Sequence, residues 1–279
     1  MSDGRTILML YTMTINGMQI AFDEHGHDLE RPALVLLSGW GGDHRVFDRM
    51  MTPLIAAGYR VIRVNWRAHG PDRTPIAEFG REEQVADTVA LLDILEVERF
   101  VPVSISQGGW AALDIADQLG AARVPGVMLV DLIMTSPPQE FIELVHAMQH
   151  RETWREARAK IFAQWAGGTT HPALQDMWLS NTFPGHSFET WLSGNKAVEK
   201  AYVTWGSPMA RMEKIASPRP IRHLFSQEPA SGYDELHEQF AAGNPWFSWR
   251  RLHGVTHFPT VELPDTVCVE LGRFVESLR

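Results

Sequence analysis

Three residues of this chain are of the types that together move a proton or activate a hydroxyl: Ser106, Asp131 and His257. A histidine takes a proton near neutral pH, a carboxylate on its other ring nitrogen fixes the tautomer, and a serine beside it acts as nucleophile or hydrogen-bond donor. The serine sits in Val101-Pro102-Val103-Ser104-Ile105-Ser106-Gln107-Gly108-Gly109-Trp110, where a β-branched apolar run stops and a glycine pair opens a helix-forming segment. This reads as strand, sharp turn and helix with Ser106 at the apex. Such a turn asks for small residues two positions to either side, and here they are Ser104 and Gly108 in place of two glycines. Spacing alone leaves Ser106 open between a functional apex and a helix-capping serine. His257, in Gly254-Val255-Thr256-His257-Phe258-Pro259, is open between a base following the last strand and an exposed loop histidine, one of 12 in the chain. Asp131 directly follows the apolar run Val127–Val130 and is open between an orienting carboxylate and a helix N-cap.

These residues meet only if the right elements carry them. The Asn16-Gly17 pair between alternating segments signals a hairpin within 12–23. Residues 33–37 are a continuous apolar run, suited to a strand buried on both faces, and lead into Ser38-Gly39-Trp40-Gly41-Gly42. The pattern then predicts a helix over 46–57, a strand over 59–64, a helix over 81–95, the strand before Ser106, a helix over 110–119 and the strand 127–130. Such alternation implies parallel strands joined by right-handed crossovers. Between 137 and 207 the rhythm is lost. That segment is helical, carries Trp154, Trp165, Trp178 and Trp191, and has breakers at Gly167-Gly168, Pro184-Gly185 and Gly194. It reads as a cap of helices lying over the sheet. Strands resume over 220–225 and 246–252, and a helix over 266–278 closes the chain. The expected class is α/β, a mostly parallel eight-stranded sheet flanked by helices, with 1–136 and 208–279 forming one core and 137–207 inserted between them.

Ligands of open parallel sheets bind beyond the carboxyl ends of the strands. The residues there are Gly39-Trp40, Ser106-Gln107, Asp131, Ser226-Gln227 and His257. The chain order Ser, Asp, His, with the base near the C-terminus, is that of the α/β-hydrolase fold. Most such proteins take the acid from the loop after the seventh strand. Here that loop reads Ser226-Gln227-Glu228-Pro229 and has no well-placed Asp, which makes Asp131, after the sixth strand, the candidate. The backbone N–H groups of Trp40 and Gln107 would form an oxyanion-hole pair. His44 and His69 also follow strands and are open between lining the pocket and a structural or solvated role.

Composition narrows the partners. A net charge of −9 without a basic cluster argues against nucleic acid or an anionic membrane surface, and a neutral or aromatic small molecule fits better. The lone Cys268 allows no intrachain disulfide and reads as core filler in a reducing compartment. The short apolar run Ile7 to Leu10 does not make a signal-peptide core, and no stretch approaches the ~20 apolar residues that span a bilayer, so a soluble cytoplasmic protein is expected. Ten tryptophans either fill core or line an aromatic pocket. H-E-x-x-H, C-x-x-C, Walker and dinucleotide motifs are missing, so no metal and no cofactor is expected.

Over nearly its whole length the chain resembles the cofactor-independent 2,4-dioxygenases of 3-hydroxy-4-oxoquinolines and quinaldines. The resemblance is carried by Ser38-Gly39-Trp40 with Asp43-His44-Arg45, by Asn65-Trp66-Arg67-Ala68-His69-Gly70, by the Ser106 turn, by Gly206-Ser207-Pro208-Met209, by residues 220–227 and by Thr256-His257-Phe258-Pro259. That family also places its acid after the sixth strand. The resemblance implies that His257 removes the 3-hydroxyl proton, Asp131 orients His257, and Ser106 holds the substrate by a hydrogen bond without acylation. Trp40, Gln107, Trp165 and His44 would contact the substrate. It further implies a small aromatic N-heterocycle and O2 as partners, with release of carbon monoxide and an N-acylanthranilate, by a monomer or homodimer. Two departures stand out: Gln107 replaces a histidine that follows the serine in the family, and Gly41-Gly42 replaces a bulkier pair. A glutamine does not hold a proton near neutral pH. The glycine pair is expected to leave room for a larger 2-alkyl group. A serine-dependent ester or C–C hydrolase and a non-catalytic quinolone-binding protein are the alternatives on the same residues.

Overall fold

A computed structural model describes residues 9–27, 30–71, 76, 79–179 and 185–279, Trp178 and Leu179 by their backbone alone; residues 1–8, with the start of the Ile7 to Leu10 run, and the breaker Pro184 lie outside the described residues. The chain begins with a hairpin, β1 (Tyr11–Ile15) and β2 (Met18–His25), whose turn residues Asn16 and Gly17 have φ of 49° and 77°. That left-handed pair is what a two-residue hairpin loop needs to match strand twist. Then come β3 (Ala33–Leu37), a 3₁₀ turn over His44–Phe47, α1 (Asp48–Ala56), β4 (Val61–Val64), α2 (Arg81–Ile94), β5 (Phe100–Ile105), α3 (Gly108–Arg123) and β6 (Val127–Val130). Four helices intervene: α4 (Gln139–Ala147), α5 (Trp154–Ala166), α6 (Pro172–Leu179) and α7 (Phe188–Trp205). The chain closes with α8 (Pro208–Met212), β7 (Ile221–Phe225), α9 (Tyr233–Gly243), β8 (Phe247–Arg251), α10 (Pro259–Glu262) and α11 (Pro264–Glu276).

The eight strands form one sheet in the order β1-β2-β4-β3-β5-β6-β7-β8. The β1–β2 and β2–β4 pairs are antiparallel, and every later pair is parallel. Strands β3, β5 and β6 are buried at every residue, as their unbroken apolar runs predict for a sheet covered on both faces. Arg63 interrupts the apolar run of β4 but is only 1% exposed, because Asp23 of β2 and Asp48 of α1 neutralise its guanidinium. Helix α9 lies between the strands expected over 220–225 and 246–252, where the residue pattern predicts no element. Its short amphipathic pattern follows Pro229-Ala230-Ser231-Gly232, which reads as loop.

Register decides what meets what. Leu37 pairs with Ser104, Ile105 with Val130 and Val130 with Leu224, so the carboxyl ends of β3, β5, β6 and β7 finish level. Strand order reverses between β3 and β5, which opens a crevice at the carboxyl edge. Gly39 packs directly against the Ser106 turn there, since a Cβ on it would lie 2.9 Å from the Ser106 Cβ. Among the described residues no helix is long and apolar enough to cross a membrane.

Candidate active site

Ser106 has φ of 52°, the strained backbone of an apex between strand and helix. Gly108 permits the turn, since a Cβ there would overlap the carbonyl oxygens of Leu37 and Ser38. At the other flank Ser104 is tolerated because it lies within β5, buried, with its hydroxyl 3.5 Å from the Met128 carbonyl. The apex is anchored by Ser106 N–H donating to Val130 O at 2.8 Å.

The three candidate residues converge. Ser106 Oγ lies 2.8 Å from His257 Nε2, and His257 Nδ1 lies 3.0 Å from Asp131 Oδ1. Asp131 Oδ2 accepts the Ser226 backbone N–H at 2.8 Å. The loop after β7 therefore supplies a donor to the acid instead of the acid itself, and Asp131 caps no helix. Because a carboxylate faces Nδ1, that nitrogen carries the proton and Nε2 is left to accept, with Ser106 O–H as its donor. The Asp131 backbone has φ of 50°, and its N–H donates to Leu224 O at 2.8 Å, which aims the carboxylate across the strand ends.

Aromatic rings enclose this line of groups. Trp165 of α5 stacks on the His257 ring at 4.9 Å and 24°, and its carbonyl accepts the His257 N–H at 2.8 Å. Trp40 meets Trp165 edge-on at 5.9 Å and Trp191 of α7 at 5.3 Å. Among the described residues neither the Trp40 nor the Gln107 backbone N–H has a protein acceptor, as an oxyanion-hole pair requires. Ser106, Asp131, His257, Gln107 and Trp165 all line a cavity of about 600 Å³ whose apolar wall includes Leu132, Ile133, Pro138 and Phe141. That volume is in the range of small-ligand sites.

Neither His44 nor Trp40 lines this cavity. Trp40 borders a separate hollow of about 10 Å³ with Ser106, Trp165 and His257, while the His44 backbone N–H donates to Asn65 Oδ1 at 2.8 Å and its ring Nδ1 lies 3.1 Å from the same oxygen, which holds it in the turn after β3. Nor does Gly41 leave room for a substrate, because a Cβ there would overlap the indole of Trp191, which is 1% exposed. The space released by the glycine is filled by a tryptophan from α7.

Three further side chains hold the site. Gln227 Nε2 donates to the carbonyls of Gln164 (3.0 Å), Trp165 (3.3 Å) and Val255 (2.8 Å), tying α5 to the His257 loop. Glu262 accepts from Val255 N–H, Thr256 N–H and Thr256 O–H at 2.8–3.1 Å. Tyr233 O–H donates to Leu132 O at 3.0 Å and accepts Met134 N–H at 2.8 Å, and burial pushes its ionisation well above the usual phenol range. Glu262 and Tyr233 lie in no motif, whereas Gln227 ends the 220–227 stretch and follows β7 at the carboxyl edge.

Comparison with known proteins agrees with this geometry. The model of the alpha/beta hydrolase family matches residues 34–271. A 2-heptyl-3-hydroxy-4(1H)-quinolone dioxygenase of Mycobacteroides abscessus is 50% identical over 262 residues, 94% of this chain and 96% of that protein. A 2-heptyl-3-hydroxy-4-quinolone dioxygenase of Rhodococcus erythropolis is 46% identical over 271 residues, 96% of this chain and 99% of that protein. A solved structure of a variant of an enzyme that recognises and cleaves the ring of the Pseudomonas quinolone signal, in complex with its substrate, superposes with a TM-score of 0.92 at 49% identity, covering 96% of this chain and all of that one. The chain belongs to the alpha/beta hydrolase family, in the branch that holds these quinolone dioxygenases.

Proposed function

We propose that this protein is a cofactor-independent 2,4-dioxygenase of 2-alkyl-3-hydroxy-4(1H)-quinolones. The observation that carries the reading is the buried line Asp131–His257–Ser106 opening onto an aromatic-roofed cavity, in a chain half identical to a quinolone dioxygenase. His257 Nε2 removes the 3-hydroxyl proton, and Asp131 stabilises the imidazolium through Nδ1–H. Once Nε2 is protonated, Ser106 O–H turns to the new oxyanion and holds it. The electron-rich ring reacts at C2 with O2, the peroxide closes onto C4, and C3 leaves with its oxygen as carbon monoxide. One oxygen atom of O2 ends in the amide carbonyl and the other in the carboxylate of the N-acylanthranilate. Each step uses side chains only. Residues 137–207 serve as the cap that keeps water from the anion, and the 2-alkyl chain lies along Leu132, Ile133, Pro138 and Phe141. Cys268 has no part in the chemistry: burial, with Asp265 beside it, pushes its thiol up to about 12, which suits an inert residue in a cytoplasmic protein.

Metal-stripped protein incubated in air with 2-heptyl-3-hydroxy-4(1H)-quinolone is expected to release carbon monoxide and consume the quinolone in equal amounts. Lack of turnover across a series of 2-alkyl lengths would overturn the assignment. One observation favours a second reading. The 2.8 Å Ser106–His257 contact and the two unengaged backbone N–H groups are also what acyl transfer needs. Covalent labelling of Ser106 by a fluorophosphonate, with burst release from an activated ester and no carbon monoxide from any quinolone, would favour a hydrolase.

A further inference from the structure

The substrate cavity is not the only hollow that reaches Gln107. Behind it lies a second one of about 30 Å³, bordered by Gln107, Trp40, Trp110, Phe79, Arg81 and Ala197. Phe79, Arg81 and Ala197 also border an open cleft of about 460 Å³ between the N-terminal end of α2 and helix α7. Gln107 is thus common to the small hollow and the substrate cavity, and Ala197 to the small hollow and the cleft. The three spaces therefore share walls in turn, cleft with hollow and hollow with cavity, whereas Gln227, Pro229 and Val255 line the cavity and neither of the other two.

Size decides what can use this row. A hollow of 30 Å³ holds one or two molecules of the size of water, which shuts out a bicyclic ring and admits a diatomic gas. Its walls are the rings of Trp40, Trp66, Phe79 and Trp110 together with the polar side chains of His69, Arg81, Gln84 and Gln107, and the charge of Arg81 is already paired with Asp114, which leaves an aromatic-walled hollow that a small uncharged molecule can enter. Gln107 is the partition. Its carboxamide hydrogen-bonds to the Tyr202 hydroxyl, while its Oε1 is buried without a hydrogen-bond partner among the described residues.

We propose that this row of spaces is the passage by which dioxygen reaches, and carbon monoxide leaves, the Ser106–His257 centre while the organic substrate closes the front cavity. The proposal rests on the ring-cleaving reading given above. It accounts for how a reaction that takes in one small gas and gives out another proceeds under a bound quinolone.

Ala197→Phe, at the point shared by the cleft and the hollow, blocks the passage without touching the groups that bind the quinolone. In that variant kcat/KM for O2 is expected to fall about fivefold or more, while the quinolone Kd under nitrogen and the quinolone KM at saturating oxygen stay within about twofold. An unchanged oxygen dependence in a variant of parental Tm overturns the passage. Should Ala197→Phe not fold, Ala197→Leu is measured the same way, and crystals of the parent protein under xenon give an independent readout. Xenon between Phe79, Ala197 and Gln107 supports the passage, and its absence there overturns it. If the parent turns over no quinolone, it is the ring-cleaving reading that has failed, and the xenon result still decides whether the hollow takes an apolar gas.

Discussion

Replacing Asp131 by asparagine keeps the side-chain volume and removes the charge, and the two hydrogen bonds of the carboxylate make its consequence calculable. Asp131 is 4% exposed and accepts from two donors, His257 Nδ1–H at 3.0 Å and Ser226 N–H at 2.8 Å. An amide has one oxygen for them. If the oxygen faces Ser226, the NH2 group faces Nδ1, the ring proton moves to Nε2, and His257 can no longer accept the substrate proton. In the reverse orientation the NH2 group opposes Ser226 N–H, and leaving that buried donor unmade costs about 1–3 kcal/mol. Even then the imidazolium has lost its counter-charge, about 4 kcal/mol for unit charges 4 Å apart at an effective dielectric of 20. That energy is about three powers of ten in rate. We therefore expect Asp131→Asn to lower kcat/KM for the quinolone about 10³-fold while KM changes little, measured by loss of quinolone absorbance in air-saturated buffer. The deficit should shrink as pH rises toward the ionisation of the substrate hydroxyl, because the anion then arrives ready-made. Formation of the bound anion under nitrogen isolates the proton step from the oxygen step. A loss below about tenfold, in a variant with parental Tm, would refute the role of Asp131.

Four further outcomes follow from the same geometry. Ser106→Ala removes one hydrogen bond to an anionic oxygen, worth about 1.5–3 kcal/mol, so ring cleavage should slow about 10- to 150-fold but persist, whereas hydrolysis of an ester would be abolished. Gln227→Ala frees three carbonyls of α5 and the His257 loop, and should cost about 1–3 kcal/mol in urea denaturation together with a fall in kcat. Gly41→Ala combines φ of 69° with overlap on Trp191 and should destabilise by about 2–4 kcal/mol, less in a Trp191→Leu background, a coupling read from a double-mutant cycle of Tm. Burial holds the imidazoles of His223 and His237, 2.8 Å apart, below their ordinary range, whereas the unfolded chain protonates both near pH ~6.5. Between those limits the unfolded state binds more protons, so their contribution to stability is full above about pH 6.5 and declines as pH falls; the decline in Tm from pH ~7.5 to ~5.5 should be shallower in His237→Gln.

The elements that build the site were largely legible in the order of residue types. An unbroken apolar run buried on both faces needs no partner to be recognised, and β3, β5 and β6 lie where such runs occur. Asn16-Gly17 forms a hairpin turn for a local steric reason that any context preserves. The missing acid after β7 was legible too, since the absence of a carboxylate from Ser226-Gln227 is a fact of sequence. What the pattern hid was α9, whose apolar face is short and whose entry resembles a loop. His44 shows the limit from the other side. It follows a strand as Asp131 does, but its neighbour across the sheet is Asn65, and the pair satisfies itself away from the cavity.

By itself, the order of amino acids determined the alternation of strands and helices, the turn at Ser106, which serine, aspartate and histidine meet at the strand ends, and the absence of charge suited to a polyanion. These depend on steric and hydrophobic preferences acting over a few residues or on composition, which survive any arrangement of the rest. Only the tertiary structure decided that Trp191 occupies the space beside Gly41, that Gln227 and Glu262 hold the His257 loop, and that Gln107 stands between two hollows. Those facts belong to side chains brought together from α7, α10 and the strand ends, and the filling of a cavity is set by how distant surfaces pack, which no local pattern encodes.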